Sequence, residues 1–197
     1  MATKTGELNK RQLQALETKR LLLETGRALI ADRGIEHVTA EDIVSVAGVA
    51  KGTFFFHFGS MGNFIMSLSK MNEPSIEEAL EATRGMPLMQ RLETFMDGWM
   101  ETLTSFGVGL VSQLITHVVS DAGYRNDFTR NCIHEILAQA KESGELPEDF
   151  DADACESFLY THLMGVSCCW CNEGGQTSLT DYRDVCLRTV KAILPAD

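Results

Sequence analysis

Residues 39–60 read TAEDIVSVAGVAKGTFFFHFGS, and their punctuation says more about the architecture than any other stretch of the chain. Thr39 followed three residues later by Asp42 has the form of a capping box, with Asp in the place usually held by Glu or Gln. That spacing predicts a short helix running to Gly48, because glycine accepts the positive φ that ends a helix at no steric cost. A second short helix is expected over about residues 50–58, and Gly59-Ser60 opens a third.

Four of the ten phenylalanines fall in the second of these helices: Phe54, Phe55, Phe56 and Phe58. Helical geometry divides them. With Phe54 at zero, a turn of about 100° per residue puts Phe58 near +40°, Ala50 near −40° and His57 near −60°, on one side. Lys51 near about +60°, Phe55 near +100°, Gly52 near +160° and Phe56 near −160° share the other. Phe54 and Phe58 are therefore expected in the core, and Phe55 and Phe56 on the outer arc.

A longer amphipathic helix over about residues 9–32 precedes this pair, with Leu21, Leu22, Thr25, Ala28 and Leu29 on its apolar face and Gly34 at its end. A long helix followed by two short ones around a glycine turn is a helix-turn-helix pattern, which sets its second helix in the major groove of DNA. On that helix Lys51 is the candidate reader of bases or phosphates and Thr53 the candidate neutral phosphate donor. His57 reads equally as a phosphate donor or as a surface histidine.

Strand signals are nearly absent downstream. Helical periodicity recurs over residues 88–106, 110–120, 128–143, 152–171 and 181–194, with 72–87 either a short acidic helix or a linker. The expected fold class is all-α, with about nine helices: a three-helix head over residues 1–60 on a larger helical body over 61–197.

The net charge of −11 argues against general nucleic-acid binding, but it is unevenly spread. Residues 1–60 hold 8 Lys+Arg and 7 Asp+Glu, whereas 61–197 hold 9 and 21. An acidic body repels DNA and leaves contact to the head. No consecutive apolar run reaches about 18 residues, so no transmembrane helix is expected. The first 25 residues carry Lys4, Lys10, Arg11, Lys19 and Arg20 without an apolar core, so no secretory signal is expected and the chain is placed in the cytoplasm. No nucleophile elbow, P-loop, zinc-protease or dinucleotide glycine motif is present, which points away from an enzyme and calls for no cofactor.

Thr39, Ile43, Ala47-Gly48-Val49, Gly52-Thr53, Phe55, Phe58 and Ser60 resemble, in identity and spacing, the N-terminal pattern of the TetR-type transcriptional regulators. The resemblance spans about residues 18–68. The chain departs from it twice: Phe55 stands where the family has Tyr, and Met61 where it has Lys. A phosphate-bonding hydroxyl and a phosphate-neutralising charge are thereby absent, and Glu41 adds a negative charge nearby. The basic arm from Lys4 to Arg11 is a compensating contact. The resemblance implies a homodimer joined through the last two helices, a palindromic double-stranded operator, and a repressor released by a small-molecule effector. It implies DNA contacts at Thr39, Lys51, Gly52, Thr53, Phe55, Phe56 and His57.

For the effector, a pocket of Trp99, Met100, Leu103, Leu114, His117, Phe128 and His162 is expected to suit an apolar or aromatic molecule. The stretch 167–175, SCCWCNEGG, offers an alternative signal input. Cys168 and Cys171 have C-x-x-C spacing with Cys169 beside them, which fits thiol or metal chemistry. A structural zinc site needs four ligands, and no second pair follows, so helix packing is the leading reading and no metal site is assigned.

Overall fold

The computed structural model describes residues 9–120 and 127–195. Of the basic arm Lys4 to Arg11, Lys4 lies outside the described residues, as does the expected break at 121–126, whereas Lys10 and Arg11 open the first helix. Among those described the chain is helical with no strand, as expected. The helices are α1 Lys10–Arg33, α2 Ala40–Ala47, α3 Lys51–Phe58, α4 Met61–Ser69, α5 Glu73–Ala82, α6 Leu88–Ser120, α7 Asp127–Glu142, α8 Ala152–Asn172 and α9 Arg183–Ile193. They divide into two compact units, the first ending at Leu68 and the second beginning at Ser69.

In the first unit the caps are those the residues dictate. Asn9 and Gln12 form a reciprocal box at the start of α1. Thr39 and Asp42 form the box at α2. The Thr39 hydroxyl donates to the Asp42 carboxylate at 2.5 Å. That hydrogen bond, with one from the Thr39 backbone N–H, holds the Asp42 carboxyl below its usual range. Gly48 closes α2 in the left-handed region at φ 70° and ψ 31°.

The core of this unit is built on Leu22, Ile43, Phe54 and Phe64, all at 0% exposure. The rings of Phe54, Phe58 and Phe64 lie 5.0–5.2 Å apart, each pair inclined. Burying one such side chain stabilises the fold by about 1.5–3 kcal/mol. Phe64 lies on α4, so α4 belongs with the first unit by its packing.

The buried face of α1 differs from the expected one. Leu22 and Leu29 are buried, but Leu21 and Ala28 are exposed, and Gly26 and Ile30 take their place. The reason is Phe64: a Cβ at Gly26 would sit 2.3 Å from its ring tip. Ala50, expected on the core side of α3, is exposed. As the N-cap it has ψ 146° and lies outside the helical phase.

In the second unit, residues 73–82 resolve as the helix α5, with a proline in its first turn. The core gathers Leu92, Phe95 and Met100 of α6, Ile133 and Leu137 of α7, Leu159 and Leu163 of α8, and Cys186 and Val190 of α9. By length and composition α6 could cross a membrane, with 33 residues and a mean hydropathy of 1.4 over 18 of them. The expectation of no such stretch is corrected to that extent: interspersed Ser, Thr, Gly and His hide it from a count of consecutive apolar residues. Its helix breaks at Gly107, with φ 73° and ψ 161°.

Ion pairs of Arg91, Arg130 and Arg183 are among the polar links that tie this unit together. Arg91, only 3% exposed, donates to Gln139 at 2.8 Å and to Glu145 at 3.1 Å. Arg183 forks onto Asp97 at 2.5 and 3.0 Å. Arg130 meets Glu156 at 2.6 Å and lies 4.1 Å over the Tyr160 ring.

Candidate functional site

α3 presents two unlike faces, because its apolar residues outnumber what one side of eight residues can bury. Phe54 and Phe58 are buried at 0% and 5%, as periodicity predicts. Phe55 is 44% exposed and Phe56 79%. A side chain as apolar as Phe56, left almost wholly in water, gains nothing for the fold.

Gly52 is also exposed, and a Cβ built on it meets nothing within 4 Å. Glycine inside a helix costs about 0.5–1 kcal/mol relative to alanine. No packing within the unit explains its presence. A bare backbone is useful where another large surface must approach closely.

The polar residues of this face are partly committed already. The Lys51 ammonium bonds the Glu41 carboxylate at 2.5 Å, both side chains being exposed. Such a pair is worth about 0–1 kcal/mol, so a stronger anion can take Lys51 from it. Thr53 is half-buried. Thr39 is exposed, with its hydroxyl engaged in the α2 cap.

His57 is half-buried and sits edge-on to Phe56 at 5.1 Å. Burial first, and then the nearby Lys19 charge, lower its pKa below the usual 6.5. Both effects favour the neutral imidazole, which can donate one N–H. Gln12, Ala15, Leu16 and Lys19 of α1 form a shallow cleft with Phe56 and His57. The face therefore offers two exposed aromatic rings, a lysine, a hydroxyl, an imidazole and an uncovered backbone, all on one short helix behind a glycine turn.

Residues 22–65 match the family model described as "Bacterial regulatory proteins, tetR family". The transcriptional regulator AcuR of Cereibacter sphaeroides is 25% identical over 131 residues, 66% of this chain and 51% of AcuR, so the match spans about half of that relative. The HTH-type transcriptional regulator TtgR of Pseudomonas putida is 20% identical over 171 residues, covering 80% of this chain and 81% of TtgR. Thermus thermophilus FadR, a TetR-family repressor solved with lauroyl-CoA, shares the fold at a TM-score of 0.75 and 17% identity, over 91% of this chain and 96% of its own. The first unit thus carries the sequence pattern of the TetR family over residues 22–65, and the chain shares its fold with TetR-family repressors.

The residues expected around an effector are distributed through the second unit. Trp99, Met100 and Leu114 are buried, and Leu103, His117, Phe128 and His162 are half-buried. Phe128 lines an open groove of about 500 Å³ together with Glu77, Glu81, Cys132, Glu135 and Arg91. His162 lines a small void of about 10 Å³. The other walls of that void, which sequence reading missed, include Phe95, Met96, Ile133, Leu163 and Val190. Periodicity marks them only as core and carries no sign that four helices leave a gap between them. Arg91 was missed as well, since an arginine on an amphipathic helix reads as solvent-facing.

Cys168 and Cys169 are exposed, and Cys171 is half-buried with its sulfur 4.0 Å from the Val108 carbonyl. Burial pushes the Cys171 thiol up. Burial, followed by Glu77, Glu135 and Glu73, pushes Cys132 up to about 12. Among the described residues, the grouping of donors that could hold a metal ion is His134, Asp153 and Glu156, with ligand atoms within 4.8 Å of one another. It contains no cysteine, and Glu156 is engaged by Arg130.

Proposed function

We propose that the chain is a homodimeric transcriptional repressor whose α3 enters the major groove of a palindromic operator, and whose body, the second unit from Ser69 onward, binds a small apolar or aromatic effector that releases it. In this reading Lys51 contacts a base edge or phosphate. Thr39, Thr53 and His57 contact phosphates, and Phe55 and Phe56 pack on thymine methyls or sugars. Gly52 lets the backbone of α3 approach the duplex. The last two helices pair with those of a second copy, so that two heads meet two half-sites one helical turn apart. Release requires the effector to bind the DNA-incompetent state more tightly than the competent one.

One observation carries the reading: Gly52, whose side-chain space is empty, and the outward phenylalanines Phe55 and Phe56 are all exposed on the same helix. The relatives support the regulatory class, and FadR, solved with lauroyl-CoA, supports an apolar ligand for the body. The alternative of thiol or metal sensing at Cys168, Cys169 and Cys171 draws support only from the exposure of the first two.

Binding of the DNA upstream of the gene, followed by gel shift and by fluorescence anisotropy at several salt concentrations, tests the proposal. A sequence-selective, salt-sensitive complex is expected. Gly52→Ala is expected to raise head stability by about 0.5–1 kcal/mol, the glycine-to-alanine gain in a helix, while weakening the complex. No selective complex with any upstream fragment would sink the repressor reading, as would a Gly52→Ala variant that binds as well as the parent.

A further inference from the structure

We infer that His162 is the hydrogen-bonding anchor of the effector site, and that the effector is a small apolar molecule carrying one hydroxyl or carboxyl group. This rests on the reading of the body as an effector-binding unit and narrows it to a chemical class.

His162 lies on α8 with its Nε2 atom buried and without a hydrogen-bond partner among the described residues. Its ring lies parallel to that of Phe158, with centroids 6.2 Å apart and planes inclined by 6°. The void beside it measures about 10 Å³, roughly the room that one water-sized sphere requires. Every other side chain in its wall is apolar.

Those facts restrict the occupant. A buried water requires about two to four polar partners, and this site supplies one, so water is a poor tenant. A hydrocarbon fills space but leaves the imidazole nitrogen unpartnered, at the full desolvation cost of that group. No carboxylate lines the void, so an organic cation finds no counter-charge there. A molecule that is apolar except for one hydroxyl or carboxyl group satisfies Nε2 and the apolar wall together. Admitting such a molecule requires the wall to open beyond about 10 Å³, and of the wall residues Met96, an unbranched thioether chain, changes rotamer at the least cost. The ligand is therefore rewarded twice, for burial and for removing a polar defect that the free protein carries.

Phenol and toluene, nearly equal in shape and different in one hydroxyl, are the probes. Their binding to the full chain without DNA is measured by calorimetry. The wild type is expected to favour phenol by about tenfold, the factor that one additional satisfied hydrogen bond supplies. His162→Leu is expected to abolish that preference, to keep toluene binding, and to melt at a higher temperature than the parent because the unpartnered nitrogen is gone. His162→Gln, which keeps a hydrogen-bonding group, is expected to retain part of the preference. Equal binding of the two probes by the wild type, no binding of either, or a phenol preference that survives His162→Leu overturns the inference. A His162-dependent phenol preference that leaves the operator complex intact supports the inference and overturns instead the effector-released repressor.

Discussion

Gly26 shows how much a single missing methyl group decides. The ring of Phe64, itself fully buried, occupies the space a Cβ would need, so α1 and α4 approach as closely as they do only because residue 26 has no side chain. Gly26→Ala is expected to destabilise the head by about 1–3 kcal/mol, the usual cost of overpacking a filled core. Chemical denaturation of the variant checks this, and an unchanged midpoint would mean that the ring moves freely. Phe55 is the converse case. It is 44% exposed and lies edge-on to Phe54 at 5.4 Å, so a change that keeps the ring keeps its packing. In the proposed complex Phe55 packs on a sugar, and a hydroxyl added at its para position would reach the adjoining phosphate. Phe55→Tyr is therefore expected to tighten operator binding by up to about tenfold, since a hydrogen bond to a charged group is worth about 1.5 kcal/mol or more. An unchanged or weaker complex would place that face elsewhere.

At the scale of elements, α2 and α3 are short helices held by unlike means. α2 has a full capping box, while α3 starts at Ala50 with no side-chain cap and relies on the burial of Phe54 and Phe58. Its first residue, Lys51, is held by Glu41 of α2. That pair adds little to stability at the surface. It does compete with DNA for the lysine and puts a carboxylate close to the proposed phosphate path. Glu41→Gln is expected to strengthen operator binding several-fold and to leave the unfolding free energy within about 0.5 kcal/mol of the parent, as for most surface substitutions. Anisotropy titration and thermal denaturation read the two effects separately. The cap residues and the division of the phenylalanines were legible in the sequence, because both depend on spacings of two to four residues along one helix. The ion pair was not, since it joins residues ten apart across a turn.

For the whole molecule, the charge asymmetry and the exposed apolar residues of α8 and α9 point to different surfaces. Phe158 is 44% exposed and Val185 49%, and Cys168 and Cys169 are exposed on the same helix as Phe158. Under the proposed homodimer these surfaces meet their copies in a second chain. Phe158→Glu is expected to shift the protein from dimer to monomer in light scattering, and with it to cost most of the operator affinity, since one head then meets one half-site. A Phe158→Glu protein that remains dimeric would remove α8 from the interface.

The residues alone determined the helical class, the helix-turn-helix at 39–58, the placement of the caps and the two faces of α3. Each follows from local spacing, which folding preserves. The tertiary structure decided what spacing cannot carry. It brought α4 into the head through Phe64, buried Gly26, took Arg91 out of solvent and left His162 beside a void. Every one of these depends on which distant side chains fill a shared volume. That is a property of packing between helices, and no single helix records it in its own sequence.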